Sequence, residues 1–502
     1  MVQLLIGLDI GTYEAKGVLV DADGDVRAEA RHRHGVSTPA PGMVEHDAED
    51  VWWSGFVTVV RELMGTLTED DELIGLGCSA IGPCVLPVDE HLRPLRPAIL
   101  YGVDTRATAE IAEIEAVLGT DEILRRSGNV LTSQSAGPKV RWVERHEPEV
   151  AAQTRWYLTS QSFLVARLTG RVVIDHATAG YFHPFYELGE LRWNAEGLEA
   201  LVPPEKLPDV AWSSDIAGTV TAEASRQTNL PEGLPVVVGT TDAPAEAIGS
   251  AVVETDDLML MIGSSGFLIR VCDRPVRDER LWAAPWVLPG RYVLAGGTST
   301  AGTATRWIAE QLDLDELQGD QALFTQLMAL ARSAPVGAGG VLHLPHLSGE
   351  RTPFHDPDAR GAFIGLSLST GRAELARSVS EGVGHSLGLA LSTFAAAHSR
   401  APRVKAVGGG TRNEIITRVA SDVSGFDLDI PDTLGASYGD AILAGLGVGA
   451  VSESDAASWV SNRDVVTARG PDDDEARVLR RQHREFTAAY QALRGMREAT
   501  TS

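Results

Sequence analysis

The sequence predicts an α/β protein built from two related halves that face one cleft. An apolar strand that runs into a Gly-Thr or Gly-Ser turn occurs near the N-terminus, from Leu4 to Thr12, and again after the midpoint, from Leu258 to Gly266. Such a repeat is typical of two related structural units. Because 502 residues are too many for one hydrophobic core, we expect two domains, residues 1–247 and 248–502.

Composition and charge restrict the class of protein. The formal net charge is −26 and lysine occurs four times, which argues against a nucleic-acid partner. No apolar run is long enough to span a bilayer, and the chain enters a strand too early for a signal peptide. The three cysteines form neither a CxxC pair nor a disulfide framework. A cytoplasmic protein without a membrane partner is therefore expected.

The central stretch holds candidate groups for phosphate chemistry. Val236-Val-Val238 reads as a buried strand, and the Gly-Thr-Thr turn after it places Asp242, a candidate base, just beyond the strand's end. The turn Gly263-Ser-Ser-Gly266 exposes N–H groups and hydroxyls that suit a phosphate. A domain linker with an ordinary hairpin is the alternative. The chain has no Gly-Lys dipeptide, so a Walker-type P-loop is excluded.

Two further segments of the first half carry candidate substrate groups. Residues 74–78 read as a short strand that opens into a loop, Ser79-Ala-Ile-Gly82, at the edge of the cleft. Asp104 and Arg106 follow another apolar strand. Such a pair is either a structural ion pair or a substrate contact.

The helices follow from apolar spacing and capping residues. We expect helices over residues 107–118, 151–170, 195–201, 303–312, 375–397 and 414–423.

In the second half, three successive glycines, Gly408 to Gly410, allow a flat ligand such as adenine to lie against bare backbone.

With these elements in place, the sequence resembles the FGGY carbohydrate kinases over almost its whole length. Residues 8–12 look like the family's first phosphate motif, residues 239–242 like its catalytic-aspartate turn, and residues 262–266 like its second phosphate hairpin. The most specific match is the second FGGY signature, residues 361–382. The segment Ser348-Gly-Glu-Arg-Thr-Pro353 is similar to the xylulokinase branch.

The resemblance implies an actin-like, ribonuclease-H-like ATPase fold in each half, with Mg-ATP in the cleft. It gives Asp242 the role of general base and makes Asp9 and Asp242 the residues that hold Mg²⁺. The substrate residues implied are Ser79, Ala80, Asp104 and Asp242. The residues implied to contact the nucleotide and its phosphates are Thr12, Lys16, Gly263, Ser264, Ser265, Gly302, Arg306, Gly409, Gly410 and Asn413.

The loop from Ser79 to Gly82 departs from the family pattern. D-xylulokinases resemble Gln-Met-His-Gly there and glycerol kinases Asn-Gln-Arg-Glu, which argues against glycerol and weakens D-xylulose as substrate. We therefore predict an ATP-dependent kinase of a sugar hydroxyl, with a ketopentose such as xylulose as the favoured substrate. The alternatives are a kinase of another ketose or polyol (ribulose, L-xylulose, erythritol-type) and a non-kinase actin-like ATPase or sugar sensor. Similar kinases are frequently homodimers, so the resemblance also implies a homodimer.

Overall fold

A computed structural model of the chain describes residues 2–314, 319–398 and 400–501. The chain forms two compact units. Unit 1 consists of Met1–Thr255, Val271–Val293 and Thr433–Ser461, and unit 2 consists of Asp256–Arg270, Leu294–Asp432 and Asn462–Ser502. Each unit thus contains segments that are far apart in sequence, while a domain boundary after residue 247 stays a prediction.

Among the described residues up to 248, the structure contains fifteen strands and nine α-helices, with a π-helix at Ala48–Trp53 and a 3₁₀-helix at Pro204–Lys206. The strands are β1 (Val2–Ile10), β2 (Glu14–Asp21), β3 (Val26–Arg33), β4 (Glu45–His46), β5 (Asp71–Ala80), β6 (Leu86–Val88), β7 (Ala98–Ile99), β8 (Trp156–Leu158), β9 (Val173–Asp175), β10 (Tyr186–Glu187), β11 (Arg192–Trp193), β12 (Asp209–Ala211), β13 (Ile216–Thr219), β14 (Pro235–Val237) and β15 (Thr240–Thr241). The helices are α1 (Ser54–Met64), α2 (Thr108–Leu118), α3 (Thr120–Ser127), α4 (Ala136–His146), α5 (Pro148–Gln153), α6 (Ser160–Thr169), α7 (His176–Ala179), α8 (Ala222–Thr228) and α9 (Asp242–Ile248).

The second half has the same mixture of elements, with 3₁₀-helices at Ala338–Gly340 and Gly409–Arg412. The strands are β16 (Asp257–Ile262), β17 (Gly266–Cys272), β18 (Trp282–Pro285), β19 (Tyr292–Thr298), β20 (Leu342–Leu344), β21 (Ala362–Ile364), β22 (Arg403–Val407), β23 (Leu428–Pro431) and β24 (Asn462–Val466). The helices are α10 (Gly302–Gln311), α11 (Asp320–Arg332), α12 (Arg372–Ala397), α13 (Glu414–Ser424), α14 (Ala436–Val448), α15 (Glu453–Ser458) and α16 (Asp474–Thr501).

The main sheet of unit 1 has the strand order β13-β14-β5-β1-β2-β3, and β15 also pairs with β5. Strand β1 runs antiparallel to β2 and parallel to β5. It is buried from Leu4 to Ile10 because helices cover both faces of the sheet: α14 lies against Gly7, and α1 lies against Gly17 on the opposite face. This two-sided burial explains why the sequence of β1 is a continuous apolar run.

The main sheet of unit 2 includes the order β19-β17-β16-β22-β23-β24. Strands β16 and β17 form an antiparallel hairpin, and β22 runs parallel to β16. The long helix α12 packs on α13, and its Leu387 lies against Gly266 at the start of β17. The hairpin that the sequence predicts after the midpoint is therefore present, and it lies beside a long, largely buried helix of the unit.

Of the predicted helices, one is divided into the end of α5 and the whole of α6, and one is wrong. The segment 151–170 is interrupted by β8. The Trp-Tyr-Leu run of β8 pairs with β6, with Leu158 opposite Leu86, instead of continuing the helix. The segment 195–201 forms turns. There the guanidinium of Arg126 donates hydrogen bonds to the carbonyl oxygens of Asn194 and Glu196, so a side chain holds these carbonyls. The other four predicted helices are confirmed as α2, α10, α12 and α13.

Candidate active site

Three strands of unit 1 end at one edge of the sheet and gather the predicted acidic residues. Strand β5 lies between β1 and β15, so that Ser79 pairs with Asp9 on one side and with Thr240 on the other. Both pairings are parallel, so the carboxyl ends of the three strands meet at that edge. The loop predicted over Ser79 to Gly82 begins two residues later, because β5 continues through Ala80, and Ser79 and Ala80 are fully buried.

Asp9 and Asp242 occupy this edge. Burial raises the pKa of Asp9 to about 8, and the negative charge of Asp242 acts in the same direction. Asp242 is the first residue of α9, where its Oδ1 accepts a hydrogen bond of 2.8 Å from the N–H of Ala243. Burial raises the pKa of Asp242 to about 6, with the charge of Glu246 as a further cause. At neutral pH this carboxyl group is therefore mostly ionised and able to accept a proton.

Two charged side chains, Lys16 and Glu246, lie near Asp9 and Asp242 and influence their pKa values. Lys16 pairs in register with Asp9 across the β1–β2 hairpin, and its positive charge lowers the pKa of both Asp9 and Asp242. Glu246 lies one helical turn after Asp242 and is partly buried, and desolvation raises its pKa. Sequence reasoning missed Glu246, although the spacing of four residues on a helix would have placed it on the same face. Thr12 lies in the turn of the same hairpin.

The acid pair fits one divalent cation. Asp9 is buried and Asp242 is partly buried, both have a raised pKa, and the charge of Asp242 contributes to the raised pKa of Asp9. A bound cation would lower both pKa values. Within the described ranges, no group of three His, Cys, Asp or Glu residues is arranged to hold a metal ion. Mg²⁺ suits such a sparse set of ligands, since it keeps several waters and is commonly held by one or two carboxylates plus substrate phosphates.

The predicted phosphate turn of unit 2 is formed by residues 263–265, between β16 and β17. The N–H of Gly302 donates to the carbonyl of Gly263 at 2.9 Å, and the carbonyl of Ser264 accepts a hydrogen bond of 2.9 Å from Ala301. A Cβ on Gly302 would lie 2.6 Å from the carbonyl oxygen of Gly263, so only glycine allows this approach. Ser264 is exposed and Ser265 is partly buried, so a ligand can reach the hydroxyl and N–H groups of these two residues.

The glycine-rich loop of unit 2 lies against the same turn. A Cβ on Gly410 would lie 2.3 Å from Cγ2 of Ile262, whereas a Cβ on Gly409 would meet nothing within 4 Å. Gly409 thus presents bare backbone to open space, as a flat ligand requires. Ile262 directly precedes Gly263, so this loop lies next to the turn that Gly302 contacts.

Two predicted nucleotide residues are engaged elsewhere. Oδ1 of Asn413 accepts hydrogen bonds from Ile415 and Ile416 at the start of α13, and its Nδ2 donates to Ser380. Its side chain is buried, so its visible function is to cap the helix. Arg306 lies exposed on α10 within 3.3 Å of Glu310.

Asp104 lies in an ion-pair network of unit 1. Oδ2 of Asp104 accepts hydrogen bonds of 2.7 Å from the N–H of Val44 and from the Arg106 guanidinium, which also contacts Glu45 at 2.8 Å. Asp104 is completely buried. Of the two interpretations left open by the sequence, the geometry favours the structural ion pair, and contact with a sugar stays a prediction.

Arg351 and Glu350 support the phosphate turn and were missed as functional residues. The guanidinium of Arg351 donates to the carbonyl of Thr298 at 2.7 Å and to that of Gly266 at 3.4 Å. Oε1 of Glu350 accepts a hydrogen bond of 3.0 Å from the N–H of Ser299. The pair therefore ties the hairpin to the loop before α10. Its position in the family-like segment 348–353 was the available signal.

The remaining features concern the rest of the molecule. All three cysteines, Cys78, Cys84 and Cys272, are buried with free thiols. No helix in the part of the chain that the structure describes is long and apolar enough to cross a membrane.

Comparisons with known proteins agree on one family. The N-terminal domain of the FGGY family of carbohydrate kinases matches residues 4–249, and the C-terminal domain of that family matches residues 258–448. The xylulose kinase of Escherichia coli is 31% identical over 432 residues, which cover 85% of this chain and 86% of that protein. The gluconokinase of Bacillus subtilis is 25% identical, with 91% of this chain and 90% of that protein covered.

A solved structure extends this likeness to the fold. The crystal structure of xylulose kinase from Rhodospirillum rubrum matches with a TM-score of 0.89 and 32% identity, and covers 98% of this chain and 99% of that one. The predicted two-domain α/β fold is confirmed by this match. With both family domains matched in order and the acidic edge and phosphate turn present, the chain belongs to the FGGY family of carbohydrate kinases and is an ATP-dependent sugar kinase.

Proposed function

We propose that this kinase transfers the γ-phosphate of ATP to a hydroxyl of a ketopentose such as xylulose, with Asp242 as the general base. The observation that carries this proposal is the position of Asp242 at the start of α9, partly buried beside Asp9, with a pKa of about 6. The relatives named xylulose kinase, at 31% and 32% identity, support the choice of sugar. The gluconokinase relative keeps gluconate among the candidates.

In the proposed mechanism, the Asp242 carboxylate accepts the proton of the sugar hydroxyl as its oxygen attacks the γ-phosphorus. A positioned base of this kind contributes about 10²- to 10⁴-fold to the rate. Asp9 and Asp242 would hold Mg²⁺, which when bound neutralises charge on the transferring phosphoryl group.

The other proposed site residues would bind and position the phosphates and the adenine of ATP. Lys16 and Thr12 of unit 1, and the N–H and hydroxyl groups of Ser264 and Ser265 of unit 2, would contact the phosphates. Donors that are fixed in advance stabilise the developing charge without reorganising, and this supplies most of the catalysis in phosphoryl transfer. Gly409 would lie against the adenine. A homodimer and a cytoplasmic location stay predictions.

The test is ADP release from Mg-ATP with a panel of acceptors: D-xylulose, L-xylulose, D-ribulose, L-ribulose, erythritol, glycerol and D-gluconate. We expect one ketopentose to stimulate ADP release far more than the others. Stimulation by gluconate or erythritol alone would replace the proposed substrate. ADP release unaffected by any acceptor would favour the non-kinase ATPase or sugar-sensor alternative.

The role of Asp242 has its own experiment. The Asp242→Ala variant should lose sugar-dependent ADP release by about 10²-fold or more, while ATP binding measured by calorimetry stays within a few-fold of the wild type. Asp242→Asn keeps the size of the side chain but is not a base, so it should be as inactive as the alanine variant. Sugar phosphorylation by the asparagine variant at more than about a tenth of the wild-type rate would overturn the assignment.

A further inference from the structure

A buried carboxyl group behind the acidic edge has no role in the mechanism above. Asp440, on α14 of unit 1, is completely buried. Its Oδ2 lies 2.7 Å from the hydroxyl oxygen of Ser79, within hydrogen-bond distance, whereas its Oδ1 has no hydrogen-bond partner among the residues that the structure describes. An unpaired buried carboxylate oxygen is costly, so this arrangement requires a reason.

Close backbone packing brings Asp440 to this place. A Cβ on Gly7 would lie 1.9 Å from the carbonyl oxygen of Ser437, and a Cβ on Gly77 would lie 2.1 Å from that of Asp440. Helix α14 therefore rests directly on the backbone of β1 and β5. Because there is no space between helix and sheet, the side chain of Asp440 stays directed at β5 and the neighbouring Ser79.

Ser79 connects Asp440 to the acidic edge. Its Oγ lies 2.7 Å from Oδ2 of Asp440 and 3.3 Å from Oδ1 of Asp9. A hydroxyl group has one proton to donate and can accept others. If a neutral Asp440 donates to Oγ, the proton of Ser79 is free for Asp9, and each of the three groups then has a partner. Burial raises the pKa of Asp440 well above its ordinary value, which agrees with this order.

We propose that Asp440 is a positioning residue that orients the Asp9 carboxylate through Ser79. This inference rests on the proposed function, in which Asp9 holds the metal ion of the nucleotide. Side chains that orient metal ligands typically change metal affinity by about 10- to 100-fold when they are removed. Asp440 touches neither substrate nor metal in this scheme, so its effect appears first in metal binding.

The test measures binding of Mn²⁺ to the full-length protein with ADP by electron paramagnetic resonance, alongside sugar-dependent ADP release. The Ser79→Ala variant should bind Mn²⁺ about tenfold more weakly. Asp440→Ala should weaken binding several-fold, because the hydroxyl of Ser79 loses the partner that fixes its orientation. Asp440→Asn should stay within about twofold of the wild type, since its amide N–H can donate to Ser79 in the same way.

Two comparisons decide the result. The double variant Ser79→Ala/Asp440→Ala should bind Mn²⁺ no more weakly than Ser79→Ala alone, because Asp440 acts through Ser79. Additive losses would overturn the proposal, as would an asparagine variant as weak as the alanine variant or unchanged affinity in Ser79→Ala. Ser437→Ala, a buried change one turn earlier on α14, is the matched control and should bind as the wild type does.

This experiment separates the inference from the proposed function. Mn²⁺ binding requires no sugar, so the expected order of affinities can hold even if no acceptor stimulates ADP release. In that case the connection from Asp440 to Asp9 stands and the proposed sugar kinase substrate fails. If a ketopentose is phosphorylated but Mn²⁺ affinity is the same in every variant, the proposed function stands and the positioning role fails.

Discussion

The hydroxyl of Thr240 donates a hydrogen bond of 2.9 Å to Oδ2 of Asp175, and both residues are fully buried. The same carboxylate oxygen accepts a hydrogen bond of 3.1 Å from the hydroxyl of Ser213. Thr240 lies two residues before Asp242, so Asp175 holds the strand from which the proposed base projects. Removal of Asp175 should therefore act on the rate of phosphoryl transfer more than on ATP binding.

Asp175→Ala should lower kcat by about tenfold and change KM for ATP little, because the loss of a buried hydrogen bond costs about 1–3 kcal/mol. Asp175→Asn retains a carbonyl oxygen that accepts from both hydroxyls, so it should stay close to wild-type kcat. Steady-state kinetics with the stimulating sugar measures both variants. An equal loss in the two would show that the charge of Asp175, rather than its hydrogen bonds, sustains the rate.

Arg351 should influence nucleotide binding through the two carbonyls that it holds. Arg351→Met is expected to raise KM for ATP by about tenfold, because the turn that carries Ser264 loses its connection to Thr298. Arg351→Lys should have a KM for ATP between those of the wild type and Arg351→Met, since a single ammonium group cannot reproduce the fork of a guanidinium. The control is Arg360→Met, since Arg360 contacts only nearby carbonyls of its own loop in the hydrogen bonds described, and it should leave KM unchanged.

The close packing of α14 predicts a large loss of stability at Gly7. In Gly7→Ala, the added Cβ would lie 1.9 Å from a carbonyl oxygen of α14, so that the helix must move away from β1. The cost should be about 3 kcal/mol or more in free energy of unfolding. Denaturant unfolding measures it. Gly35→Ala is the control, because a Cβ there meets nothing within 4 Å, and it should change stability by less than about 0.5 kcal/mol.

Buried histidines should make unit 2 sensitive to acid. Burial lowers the pKa of His385 from 6.5 to about 3, and the neighbouring His483 acts in the same direction. The unfolded chain takes up a proton at this residue below about pH 6.5 while the folded chain does not, so stability present above pH 6.5 is lost as the pH falls toward 3. The loss is about 1.4 kcal/mol per pH unit within that window.

The measurement compares denaturant unfolding at pH 7 and pH 5. His385→Leu should lose less stability between these two values than the wild type does. His91→Leu, which removes a largely exposed side chain, should retain the wild-type difference. The same difference in His385→Leu as in the wild type would assign the acid sensitivity to other residues.

Several parts of the fold and site followed from local sequence, and others did not. Strand β16, its hairpin and helix α12 were predicted because apolar spacing and glycine turns act over a few residues. The turns at 195–201 depend on Arg126, which lies about seventy residues earlier in the chain, so local propensity for helix was overridden.

The site divides in the same way. The positions of Asp9 and Asp242 follow from strands that end in acids, and the structure brings Gly263 and Gly302, two of the residues expected at the nucleotide, into contact. By contrast, Asp440 reaches Ser79 across a sequence separation of 361 residues, and only the tertiary structure brings the two together. Contacts between residues so far apart in the chain cannot be predicted from the local spacing of residues.

The late position of α14 in the chain has a consequence for synthesis on the ribosome. Residues 2–255 emerge first, but the helix that covers β1 and β5 belongs to the segment Thr433–Ser461. Until that segment has left the exit tunnel, one apolar face of the first sheet is without its native cover. The nascent first half therefore exposes apolar surface that favours aggregation, and its final packing forms only after most of the chain has been synthesised.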